Sequence, residues 1–178
     1  MFKVGVGPSS SHTMGPMVAA ERFLDAMRAS PFEFHGLRGT LRGSLAFTGV
    51  GHATDRATIL GLAGFRPQDY DHEKAEETLK QIRDTQTVTP PGLPVLQFHP
   101  KDDLQFDFGP NLPGHANGMI LMATDKQGDV ILQETYYSVG GGFVLTADEL
   151  AAGKDTDEGA PVPYPFKTAD EMLAMAAT

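Results

Sequence analysis

Residues 118–137 read Gly-Met-Ile-Leu-Met-Ala-Thr-Asp-Lys-Gln-Gly-Asp-Val-Ile-Leu-Gln-Glu-Thr-Tyr-Tyr. Two strand-like segments, Gly118–Thr124 and Asp129–Tyr137, flank the turn Asp125-Lys126-Gln127-Gly128, which is the pattern of an antiparallel hairpin. Upstream, Val95–His99 and Asp103–Phe108 add two further candidate strands. Residues 37–47 read as another, with Leu37, Leu41 and Leu45 on one face. Helical spacing appears at Pro16–Ala29, where Met17, Ala20, Phe23, Leu24 and Met27 recur against a charged side, and Ser30-Pro31 ends the run. Arg56–Ala63 and Glu73–Arg83 are two more helices, and Val88–Pro94 is a proline-rich connector. Downstream, Val139–Phe143 is expected to be a flexible break before a final strand. Thr146–Ala152 then carries a capping-box pattern, Thr146 followed three residues on by Glu149. Strands and helices do not alternate strictly, so the fold class is α+β: a mixed or antiparallel sheet with helices packed on it. Residues 1–178 form one domain, in which 153–178 is a polar surface excursion (Gly153–Pro165) and a helix (Thr168–Ala177) leading toward a linker.

Composition narrows the function. The chain has 178 residues, 40% of them hydrophobic and 21% charged, which is the profile of a soluble globular protein with a real core. A net charge of −9 argues against nucleic acid or an anionic membrane as partner. No apolar run approaches the roughly 20 residues of a membrane span, and the N-terminus has no secretory pattern. There are no cysteines, so a disulfide framework is excluded and an intracellular compartment is the default. A thiolate nucleophile and a cysteine-held metal cluster are excluded within these residues too.

Two loops concentrate the chemistry. Ser9-Ser10-Ser11-His12-Thr13 and Gly51-His52-Ala53-Thr54-Asp55 each place a histidine beside hydroxyls and each run into a helix N-terminus. Unpaired N–H groups and the helix dipole favour an anion there, and an imidazole is left for proton transfer. Either loop alone reads as an ordinary helix cap, with Ser11 or Thr54 as capping residue. Together, five hydroxyls and two imidazoles exceed what capping needs. Leu112–Met119 is a third candidate, in which Asn117-Gly118 is either a turn or, with His115, part of a pocket. The triple glycine at 140–142 is either a phosphate nest or a hinge. It lacks the Lys-Ser/Thr of a P-loop. His35, His72 and His99 have no comparable neighbourhood, and no metal-ligand spacing is evident. A hydrolase built on Ser10, His12 or His52, and Asp55 stays open, although the Gly-x-Ser-x-Gly elbow is missing.

Residues 7–17 (Gly-Pro-Ser-Ser-Ser-His-Thr-Met-Gly-Pro-Met) and 43–55 (Gly-Ser-Leu-Ala-Phe-Thr-Gly-Val-Gly-His-Ala-Thr-Asp) resemble the β domain of bacterial iron–sulfur-dependent L-serine dehydratases, also called L-serine ammonia-lyases. His115–Met119, Tyr136–Phe143 and Val162–Phe166 continue the resemblance, in order and over nearly the whole chain, toward the single-chain type. The resemblance implies a lyase that converts L-serine to pyruvate and ammonia. It implies a [4Fe–4S] cluster in the full-length enzyme, held by three cysteines of a separate α domain, with an open iron acting as Lewis acid on the substrate hydroxyl. This fragment would bind no cluster and be inactive alone, and it lacks a few residues the family usually has before Phe2.

By motif match, Ser9, Ser10, Ser11, His12 and Thr13 would hold the substrate carboxylate, with His52 and Thr54 at the reacting end as catalytic residues. Asn117 is a further substrate-binding match. The general base stays open among His52, a loop serine alkoxide and a group of the α domain. The implied fold is similar to the allosteric substrate-binding domain of some phosphoglycerate dehydrogenases. Expected partners are L-serine, the α domain of the same polypeptide and a second copy in a homodimer, in the cytoplasm. The competing reading is a purely regulatory, serine-binding or subunit-contact module.

Overall fold

The computed structural model describes residues 7–153 and 168–176. The excursion expected at 153–165 and the 162–166 motif lie, apart from Gly153, outside the described residues.

A wide helical turn at Ser10–Met14, closed by the Gly15 N–H on the Ser10 carbonyl, runs without a break into α1, Gly15–Ala29. The apolar stripe read from the sequence is the one buried: Met17, Ala20, Phe23, Leu24 and Met27 all lie in the core. β1 spans Gly36–Gly43, followed by the helical turn α2, Ser44–Phe47, and then α3, Thr54–Leu62. The long helix α4 is His72–Thr85, capped by the Asp71 side chain on the Lys74 N–H. The remaining strands are β2 (Thr87–Val88), β3 (Leu96–Gln97), β4 (Leu104–Asp107), β5 (Asn117–Thr124), β6 (Val130–Gly140) and β7 (Phe143–Thr146). The helices α5, Ala147–Ala151, and α6, Ala169–Ala176, complete the described elements.

The strands form one mixed sheet in the order β2-β3-β1-β5-β6-β7, with β4 also paired to β1. β1 is parallel to β3 at Gly36 and to β4 from Gly39 to Arg42, and antiparallel to β5 along its whole length. The expected 118–137 hairpin is the β5–β6 pair, in the register Gly118↔Tyr137. Thus the α+β class with a mixed sheet holds.

Three expectations are corrected. The strand read at 37–47 stops at Gly43, whose φ of 57° and ψ of −131° turn the chain into α2; Leu45 stays in the core from that turn. The helix read from Arg56 begins two residues earlier, at Thr54, after Ala53 in the left-handed region. The triple glycine is not a flexible break. β6 continues to Gly140, which pairs with Phe143, and Gly141 and Gly142, both with positive φ, make the two-residue turn. Glycine meets these positive φ angles without steric cost.

The capping box at Thr146 and Glu149 is present. The Glu149 carboxylate also receives two 2.9 Å hydrogen bonds from Arg22. Arg22 and the cap together hold the Glu149 carboxyl below the usual carboxylate range. The same guanidinium donates to the Val144 carbonyl at 2.7 Å, so α1 is tied to β7 and α5 at once. Across its other face α1 meets α3 at Gly61. A Cβ there would lie 2.6 Å from the Met17 carbonyl oxygen and 2.7 Å from the Ala20 Cβ.

Candidate active site

The two loops singled out in the sequence meet at the N-terminal ends of α1 and α3. Ser9 is the true cap of the opening turn, accepting from the His12 N–H at 3.3 Å. Because the first turn of any helix leaves its N–H groups without carbonyl partners, the amides of Ser10 and Ser11 are available to an anion. Ser10 is exposed, Ser9 and Ser11 are half-buried, and the macrodipole of α1 adds its positive end.

His12 is held at both nitrogens. Nδ1 lies 2.8 Å from Ser11 Oγ and Nε2 lies 2.9 Å from Ser44 Oγ. His52 is held at one. Its Nδ1 is 2.9 Å from the Thr48 carbonyl oxygen, which can only accept, so Nδ1 carries the proton. In the neutral ring Nε2 is then a lone pair, and no partner occupies it among the described residues. The two rings lie 4.9 Å apart, tilted by 37°. Burial, and after it the nearby His52 charge, hold His12 below the ordinary histidine value, while the Ser44 backbone carbonyl, as acceptor for the ring, opposes them.

The threonines lock the loops together. Thr13 Oγ1 donates to the His52 carbonyl at 2.9 Å, and Thr54 Oγ1 donates to the His12 carbonyl at 2.7 Å. Thr54 is completely buried and Thr13 nearly so. Neither Ser11 nor Thr54 therefore serves as a simple cap. Asn117 joins the cluster from the sheet: its Nδ2 donates to the Ser138 carbonyl at 3.0 Å, and the neighbouring Ala116 carbonyl accepts from the Ser44 N–H at 2.9 Å. His115 Nδ1 accepts the Asn117 N–H at 3.1 Å.

Two residues that sequence reasoning missed complete the arrangement. Ser44 supplies the second contact to His12; the only signal for it was its place within the 43–55 motif. Ser138 Oγ is buried without a partner, pressed against Gly15, where any Cβ would collide with it. Ser138 lies within the Tyr136–Phe143 motif, but no residue there singles it out from its neighbours.

The family model described as "Serine dehydratase beta chain" matches residues 1–149. The chain belongs to the serine dehydratase beta chain family. It is similar to an L-serine dehydratase of Streptomyces coelicolor, 40% identical over 178 residues that cover 99% of this chain and 39% of that protein. L-serine dehydratase 1 of Escherichia coli K12 is 40% identical over 98% of this chain and 38% of its own length. The Haemophilus influenzae L-serine dehydratase is 39% identical over 97% and 38%. The chain thus spans about two fifths of the length of these curated family relatives.

An iron–sulfur cluster does not fit the residues present. The chain has no cysteine, and among the described residues no group of three or more His, Asp or Glu side chains is placed to hold a metal. No helix is long and apolar enough to cross a membrane among the described residues.

The lowered His12 value has a consequence for stability. The unfolded chain takes up a proton at His12 near pH 6.5, whereas the folded one resists it, so stability falls as pH drops below 6.5 toward the folded value. Urea unfolding between pH 6.5 and about 5, above most carboxylate titration, is expected to show this loss. H12N is expected to flatten the slope; an unchanged slope would assign the effect to other groups.

Proposed function

We propose that this chain is the substrate-binding part of a longer L-serine dehydratase, and that its two joined loops form one wall of the site where L-serine is dehydrated to pyruvate and ammonia. The observation that carries this reading is the free Nε2 lone pair of His52, oriented by Thr48 and set beside an anion-binding helix start. The Ser9–Ser11 turn receives the substrate carboxylate through the Ser10 and Ser11 amides and hydroxyls. His12, held neutral between two serines, orients that turn. His52 Nε2 accepts the α-proton while the hydroxide leaves the β-carbon. The resulting enamine rearranges to an imine, and water hydrolyses it to pyruvate and ammonia. Thr13 and Thr54 are positioning residues, because their hydroxyls are already committed to the opposite loop. Asn117 braces the floor through Ser138.

Assistance to the departing hydroxide has to come from outside these residues, and a cysteine-held [4Fe–4S] cluster on the remainder of the polypeptide would supply it. The rim supports a covering partner. Phe47, Val50 and Phe108 are 64%, 76% and 59% exposed around the loops, and the Phe47 and Phe108 rings meet edge to face at 5.4 Å. Single-sided apolar exposure of this kind marks an interaction surface. Homodimerisation and a cytoplasmic setting belong to the same reading.

The test is the complete polypeptide. Purified without oxygen, it is expected to show cluster absorption and to form pyruvate from L-serine, whereas the 178-residue chain shows neither. Pyruvate formation by the short chain alone would overturn the proposal, as would a cluster-loaded complete enzyme that leaves L-serine untouched.

A further inference from the structure

At the far end of α1 lies a cavity of about 490 Å³, walled by the helix terminus, the 92–95 connector and the β5–β6 turn. It adjoins a second of about 330 Å³, the two sharing His35 and Lys126. Fifteen residues of helix put it roughly 20 Å from the His12–His52 cluster. Its volume falls in the ordinary range of small-molecule sites.

The lining is of two kinds. Phe32 and Val95 are 52% and 59% exposed, and with Leu93 they form an apolar wall. Three polar residues line the same space without a hydrogen-bond or ion-pair partner among the described residues: Glu33 and Lys126, both exposed at its rim, and the half-buried His35. Arg28, by contrast, is spent on the Pro91 carbonyl and Asp25. His35 Nδ1 is enclosed and unpaired, so its desolvation is uncompensated. No hydrogen bond to a ring nitrogen holds His35 among the described residues, and the residue lines both cavities.

We propose that this cavity binds a free α-amino acid with an apolar side chain, at a site separate from the one that holds the substrate. Lys126 and His35 take its carboxylate, Glu33 its ammonium group, and the Phe32–Leu93–Val95 wall its side chain. A carboxylate alone would leave Glu33 without a counter-charge, an amine alone would leave Lys126 and His35 without an acceptor, and a purely apolar ligand would match none of the three.

The test is NMR titration of the ¹⁵N-labelled 178-residue chain with L-valine, with 3-methylbutanoate and isobutylamine as probes lacking one charge each. Saturable shifts at His35, Leu93, Val95 and Lys126 are expected, with a dissociation constant on the order of 1 mM or tighter and no change at Ser9–Thr13. Each single-charge probe is expected to bind about tenfold more weakly or worse. K126E and E33Q are both expected to weaken L-valine binding while leaving the rest of the spectrum in place. Absence of saturation, shifts centred on Ser9–Thr13, equal binding of the single-charge probes, or indifference to both variants would each overturn the site. None of these outcomes bears on serine turnover, which is read in the complete enzyme.

Discussion

Replacing His52 with alanine in the complete enzyme is expected to lower kcat for L-serine by about 10²–10⁴-fold, the contribution of one positioned general base. The expectation rests on tautomer geometry. Thr48 presents only a carbonyl to His52 Nδ1, so the neutral ring keeps its proton on that side and its lone pair on the other. KM should move much less, because the proposed carboxylate site, the turn opened by Ser9–Ser11, keeps its side chains. Circular dichroism and cluster absorbance establish that the variant is folded and loaded. If such a variant turns over saturating L-serine at the normal rate, the loop has no catalytic duty, and a regulatory serine-binding role explains the site better.

Gly61→Val is expected to lower the unfolding free energy by about 3 kcal/mol, and Tm by roughly 6–12 °C. The position is crowded by atoms that cannot swing aside: the Met17 carbonyl oxygen at 2.6 Å and the Ala20 Cβ at 2.7 Å. To admit a branched side chain α1 must lift from α3, with the loss of packing around the fully buried Phe23 and Leu24. Denaturant and thermal unfolding of the 178-residue chain measure this directly. A midpoint within a degree or two of the parent would show that the two helices slide apart at little cost.

Periodicity carried most of the fold. The α1 stripe, the 118–137 hairpin and the Thr146–Glu149 cap were legible because each is written in residues close together in the chain. What escaped depends on conformation or on distant partners. Leu45 fits a strand by spacing, and only the backbone of Gly43 reveals that the strand has already ended. Glycines 140–142 look loose in isolation, yet pairing of Gly140 with Phe143 turns them into a tight hairpin. At the site, the two histidines and their hydroxyls were visible as composition. The roles of Thr13 and Thr54 were not, since their acceptors lie about 40 positions away. Ser44 was not legible as a site residue because the ring it touches, His12, lies 32 positions away.

The crossed threonine bonds also couple ligand binding to the stability of the whole domain. Each joins the backbone of one histidine loop to the side chain of the other, so neither loop can loosen while its partner stays ordered. Freeing the site means undocking α1 from α3 and opening the core between them, rather than fraying a surface segment. A molecule seated on Ser9–Ser11 therefore adds its binding free energy to global unfolding, by RT ln(1 + [L]/Kd). Protection of the deepest core amides against exchange then becomes a measure of occupancy at the surface.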